Sequence, residues 1–249
     1  MIAISKDVKC LSASEKIILA LDVPDLESAE GLVNKLKEHV RVFKVGTQLF
    51  TAEGKRVIEM INKNNGKVFL DLKFHDIPNT VKGAVESAVK LGVYMIDVHA
   101  SGGYEMMKAA ADAAKQKSKE IGIERPLILG VTVLTSINNE ILKNEMNVNK
   151  DVNEQVVCLA KLAKSAGLDG VVASPNEIKS IREACGEDFI VLTPGIRPSK
   201  DELNDQKRVM TPRQAIKKGA DFIVVGRPIT NAENPVEAAK NIIKEMEEK

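Results

Sequence analysis

The chain has no tryptophan, two tyrosines and six phenylalanines, so its core must draw volume from aliphatic side chains. Its three cysteines, Cys10, Cys158 and Cys185, are odd in number and far apart. No C-x-x-C pair or Cys/His cluster at zinc spacing occurs, which argues against a zinc site or a disulfide framework. The cysteines read as small buried apolar residues in a reducing compartment. Long apolar runs are also missing: the longest resemble "IILAL" and "LILGVTVL", too short to span a bilayer. The first residues, "MIAISKDVKCLSASEK", lack the apolar core and cleavage site of a secretion signal. A cytoplasmic protein is expected. An excess of either charge is absent too, with 36 basic against 35 acidic residues. Composition therefore gives no reason to expect nucleic-acid or membrane binding.

No Pro/Ser-rich linker or low-complexity tract divides the 249 residues, a length ample for one large core. What is present is alternation. Short β-rich runs occur at 16–23, 40–46, 67–73, 94–100, 127–133, 170–174, 189–195 and 221–227. Charged amphipathic stretches separate them. Asp25 is placed to cap one helix, and Pro78, Pro212 and Pro235 stand where helices start. Eight β/α units in this length fit a closed (β/α)8 TIM barrel in a single domain. An open doubly wound sheet fits the same alternation, although no G-x-G-x-x-G follows the first strand. Residues 1–15 read as an N-terminal arm, perched to close the barrel bottom, and 16–249 as the barrel. Two connections, "TSINNEILKNEMNVNKDV" and "IRPSKDELNDQKRVM", look longer than a barrel needs and read as binding loops or lids.

Side chains alternate along a strand, so Phe69, Asp71 and Lys73 share one face. Val68, Leu70, Leu72 and Phe74 suit the helix layer, which turns Asp71 and Lys73 inward. By the same rule Asp22 ends the first strand, Lys44 nears the end of the second, and Asp97 and His99 point inward from the fourth. Asp22, Lys44, Asp71 and Lys73 thus converge at one mouth with alternating sign. An ion-pair plug would look the same, but four converging charges in a cleft favour a functional site. Asp76 has the opposite parity, so the chain must turn before it could join them. After the seventh and eighth strands come Gly195–Arg197 and Gly226–Arg227, where barrels often bind a phosphate.

The run Asp71-Leu72-Lys73-Phe74-His75-Asp76-Ile77-Pro78-Asn79-Thr80 closely resembles the signature of the orotidine 5'-phosphate decarboxylase family. "LALDVP", "FKVGTQLF", "GVTVLTS", "TPGIRP" and "GADFIVVGRPIT" extend the resemblance, in the family's order, over nearly the whole chain. D-x-K-x-x-D alone is shared with sister sugar-phosphate decarboxylases and synthases. The resemblance implies decarboxylation of orotidine 5'-phosphate to UMP, without metal or cofactor, by a homodimer with shared active sites. It assigns catalysis to Lys73, Asp71, Lys44 and Asp76, with Asp76 and contacts matching Ile77 and Thr80 arriving from the partner chain. It gives the ribose to Asp22 and Lys44, the pyrimidine edge to Thr135, and the phosphate to Gln206, Gly226 and Arg227. Pro194 and Arg197 are further site candidates, and Asp97 and His99 read as supports. His75 reads as structural. Two other readings fit the same mouth: a magnesium-dependent sugar-phosphate enzyme, and a phosphate-binding barrel without turnover. Lys44, a cation where a metal would need acids, weighs against the first.

Overall fold

The structure is a computed structural model that describes residues 8–198 and 210–248. Eight strands appear where the sequence places them: β1 Ile17–Ala20, β2 Val42–Gly46, β3 Lys67–Phe74, β4 Met95–His99, β5 Leu127–Val131, β6 Gly170–Val172, β7 Ile190–Thr193 and β8 Phe222–Val225. They pair in chain order, all parallel, and β1 closes on β8 through Ile18↔Val224. The open-sheet alternative is thereby overturned, and the chain is a (β/α)8 barrel.

Twelve α-helices accompany the strands among the described residues. They are α1 Ala13–Lys16, α2 Leu26–Leu36, α3 Thr47–Glu53, α4 Arg56–Lys63, α5 Pro78–Lys90, α6 Tyr104–Ile121, α7 Asn139–Asn144, α8 Val152–Ser165, α9 Ile178–Cys185, α10 Pro212–Lys217, α11 Arg227–Thr230 and α12 Pro235–Glu247. Local chemistry fixes their starts. Asp25 accepts the Ser28 N–H at 2.8 Å, satisfying a donor that α2 itself cannot. Thr211 and Gln214 form a reciprocal capping box ahead of Pro212. The connection after β5 is not a plain loop: Asn138 accepts the Ile141 N–H and starts α7 within it. No helix among the described residues is long and apolar enough to cross a membrane.

Two apolar clusters divide the protein. The larger lies between sheet and helices and takes in Leu19, Val45, Leu70, Ile96, Val171 and Val225. The smaller fills the barrel with Ile18, Val42, Phe69, Met95, Leu129, Leu192 and Phe222. Val8 and Leu11, from the arm, belong to this inner cluster. The lower barrel is thus packed solid, and polar groups find room only above it. Burying these side chains, at about 25 cal/mol per Å² of apolar surface, is the main favourable term holding the fold.

Two matching clasps tie the strand starts at the barrel bottom. Asp169, one residue before β6, receives both terminal nitrogens of Arg125 at 2.9 and 2.5 Å and the Ile128 N–H of β5 at 2.8 Å. Asp221, one residue before β8, receives Arg182 and the Val191 N–H of β7. Each acid therefore joins its own strand to the preceding one and neutralises a half-buried or buried guanidinium. The cysteines depart from expectation. Cys185 is buried, but Cys10 and Cys158 are exposed, because they fall on the solvent sides of short or amphipathic helices.

Candidate active site

β3 carries the reacting end of the site. Its register against β4 slips: β3 runs from Leu70 to Phe74 while β4 runs only from Ile96 to Val98. The surplus residues form a bulge that re-aims side chains at the mouth. Lys73 lies within it at φ 50°. The other described non-glycine residues with positive φ are Asn65 and Asn147, a residue type that adopts this conformation readily. For lysine the left-handed backbone costs about 1–3 kcal/mol and persists only where surroundings enforce it. Here the Lys73 N–H donates to Asp97 Oδ1 at 2.8 Å.

Four of the expected residues meet. The Lys44 ammonium lies 3.0 Å from Asp22 Oδ1 and 3.2 Å from Asp71 Oδ2. The other Asp71 oxygen, Oδ1, accepts from the Lys73 ammonium. The side chains of Lys44 and Asp71 are 11% and 12% exposed, against 35% for Lys73 and 60% for Asp22. The buried pair thus forms the base of the array, and Lys73 reaches toward solvent where a substrate would lie. Burial works against the charge on Asp71, but Lys44, the facing Asp97 and Lys73 outweigh it and hold the carboxyl below its usual range. Burial likewise works against the Lys44 ammonium, yet Asp71 and Asp22 raise its pKa above the ordinary lysine value. The Lys44–Asp71 pair at the base of the array is therefore charged at neutral pH.

A cavity of about 180 Å³ opens over these groups. Lys44, Asp71, Lys73, Thr135 and Pro194 line it together with Val131, Val133, Leu134, Val172, Leu192 and Val224. This apolar wall opposite the charges went unread in the sequence. Alternation along the fifth to eighth strands was the available signal, since each contributes an inward residue at the same height. Gly226 also belongs to the mouth, because a Cβ there would lie 3.8 Å from Asp22 Oδ2. Arg227 opens α11 directly after it. Arg197 is buried, with Nη1 donating to the Ile196 carbonyl at 3.1 Å, and its own N–H donates to the Met210 carbonyl. Gln206 lies outside the described residues.

Asp76 and Thr80 stand apart from the array. The Asp76 carboxylate accepts the Ile77 N–H at 2.6 Å and makes no ion pair among the described residues. Ile77 is 66% exposed, and the whole run from Asp76 to Thr80 faces outward. The His75 and His99 rings lie 5.2 Å apart between centroids, tilted by 38°. Burial, then the neighbouring His75 and Lys73, lowers the pKa of His99, which favours a neutral ring.

Alternating charges at the C-terminal mouth of a (β/α)8 barrel, two of them buried and all facing an apolar wall, define a barrel enzyme. The family model described as "Orotidine 5'-phosphate decarboxylase / HUMPS family" matches residues 15–242. The chain is 55% identical over 236 residues to the orotidine 5'-phosphate decarboxylase of Syntrophotalea carbinolica, covering 95% of this chain and 96% of the relative. It is 51% identical over 237 residues to that of Moorella thermoacetica, covering 95% and 94% of the two chains. The crystal structure of orotidine 5'-phosphate decarboxylase from Lactobacillus acidophilus superposes with a TM-score of 0.84 at 42% identity, covering 94% of this chain and all of the other. The chain belongs to the orotidine 5'-phosphate decarboxylase / HUMPS family.

Proposed function

We propose that the protein decarboxylates orotidine 5'-phosphate to UMP, in pyrimidine biosynthesis, using its own side chains alone. The Lys44–Asp71–Lys73 array beneath an apolar-walled cavity carries this reading. The bond from C6 of the pyrimidine to its carboxylate breaks, CO2 leaves, and the electron pair stays on C6 in the ring plane. That pair cannot enter the π system, so a fixed positive charge must stabilise it. Lys73, the half-exposed cation of the array, stands near C6 and passes a proton from Nζ to the carbon. The resulting amine regains its proton from solvent. Asp71 and Lys44 hold Lys73 in place before the reaction begins, so little reorganisation is needed during it.

Asp22 and Lys44 bind ribose hydroxyls, and Thr135 meets the pyrimidine edge. Gly226, Arg227 and Gln206 grip the phosphate, with Arg197 and Pro194 shaping the adjoining wall. Binding energy from this remote group then favours a closed site. An ammonium already occupies the space between Asp22 and Asp71, which supports a reaction without a metal there. We further infer a homodimer in which each copy supplies Asp76, with Ile77 and Thr80, to its neighbour's site. Their outward placement and the lack of an ion pair for Asp76 within the described chain support this.

Ultraviolet absorbance of orotidine 5'-phosphate, followed with purified protein in EDTA, tests the reading. Steady conversion to UMP is expected. No conversion would overturn it, and activity that returned only with added magnesium would favour a metal-dependent relative.

A further inference from the structure

Among the described residues, Asp97 is a buried acid of the barrel interior with no ion pair on its carboxylate. It sits on β4, 1% exposed. Its Oδ1 accepts the Lys73 N–H at 2.8 Å. Its Oδ2 is buried, and no hydrogen-bond donor of the described chain reaches it. The charged groups that face it are Asp71 and Lys73, both from β3. On the β5 side its register partner is the uncharged Leu129. On its own strand the next inward residue is His99, whose ring lies against that of His75.

Asp71 and Asp97 each follow the register pair Leu70↔Ile96 on neighbouring strands, and Lys73 donates to both, its N–H to Asp97 Oδ1 and its ammonium to Asp71 Oδ1, so the two carboxyls are close neighbours. Two carboxylates at such range, out of water, do not both ionise; one keeps a proton and donates it to the other. Which one keeps it follows from the cations. Asp71 has Lys44 on Oδ2 and Lys73 on Oδ1, so it is the anion. The proton falls to the Asp97 oxygen that lacks a donor.

We propose that Asp97 is a positioning residue carried as the neutral acid: Oδ1 accepts the Lys73 N–H while Oδ2–H donates to Asp71. One side chain then sets both the left-handed backbone that aims Lys73 and the orientation of the anion that holds it. This rests on the role proposed for Lys73. Burial and, after it, the charge of Asp71 push the Asp97 carboxyl well above the usual carboxylate range, in agreement with the geometry. The bulge at Leu70–Phe74 acquires a purpose: without the Asp97 acceptor, the strained turn loses the bond that compensates it.

Infrared spectroscopy of the intact protein at neutral pH, compared with the Asp97→Asn variant, tests the protonation state without any need for turnover. A protonated-carboxyl C=O band present in the wild type and absent from the variant is expected. Its absence from the wild type would overturn the neutral acid, even if the enzyme decarboxylates normally. Kinetics tests the positioning role. Asp97→Ala should lower kcat by about a hundredfold, as a small misplacement of a reacting group does, with KM much less affected. Asp97→Asn keeps an acceptor and a donor and should recover most of that loss. An Asn variant as impaired as the Ala variant would overturn the proposal, as would an Ala variant with wild-type kcat. Should the Ala variant not fold, the Asn variant and the infrared band still decide.

Discussion

Asp71 stands between two lysines and is nearest in burial to Lys44, whose ammonium lies 3.2 Å from its Oδ2. Neither residue could occupy its place alone, because each lone charge would bear an uncompensated desolvation cost. Asp71→Asn removes the shared anion and leaves two ammonium groups facing an amide. We expect kcat/KM for orotidine 5'-phosphate to fall by at least about two decades, the usual effect of removing one preorganised charge. Steady-state kinetics checks this, and a variant within tenfold of wild type would contradict it.

Lys73→Ala should abolish turnover while leaving the far-ultraviolet circular dichroism spectrum unchanged, since Lys73 is a partly exposed mouth residue. Asp76→Ala should do the same. If each site takes Lys73 from one copy and Asp76 from the other, mixing the two inactive proteins creates hybrid dimers with one intact site. Turnover should then appear on mixing. Persistent inactivity after verified subunit exchange would argue that Asp76 serves its own chain.

The raised Asp97 pKa makes stability depend on pH in a defined sense. In the window between the ordinary carboxylate value and its higher folded value, the native state holds a proton that the unfolded state has lost. The contribution of Asp97 to stability is therefore complete below the ordinary value and declines as pH rises through that window. Asparagine does not titrate. The stability of Asp97→Asn relative to wild type should consequently increase with pH above the carboxylate range and level off below it. Urea unfolding at several pH values measures this difference, and a pH-independent difference would show that Asp97 ionises normally.

Arg182→Ala should act on stability alone. Its side chain is 8% exposed, and it bonds the Gly219 and Phe189 carbonyls as well as Asp221. Removing it leaves Asp221 unpaired at the barrel bottom, at a cost of about 3–5 kcal/mol. Equilibrium unfolding should show that loss, while kcat under native conditions should stay at its wild-type value because the clasp lies at the opposite end from the mouth.

The barrel was legible because its signals are local and repeated. Each strand is a short apolar run, and helices begin at signals such as the Asp25 cap and the first-turn prolines Pro78, Pro212 and Pro235, which the structure reproduces. The Asp22–Lys44–Asp71–Lys73 cluster was legible from alternation at strand ends. The left-handed turn at Lys73 was not, because a lysine carries no propensity for it; the Asp97 contact that enforces it crosses from a neighbouring strand. The exposed Cys10 and Cys158 were misread for the opposite reason. Residue type sets an average burial, whereas the helix face a residue happens to occupy sets the actual one.

Val8 and Leu11 join the packing that fills the lower barrel, and Phe69 and Leu192 continue it upward to the floor of the site. The reaction chamber is consequently a cul-de-sac. Among the described residues the packed lower barrel leaves the mouth as the way in, so substrate and nucleotide product use the same doorway and a site still holding its product cannot admit the next molecule. Inhibition by the product nucleotide should therefore be competitive with substrate, a traffic rule imposed by the stopper at the far end rather than by any group that does the chemistry.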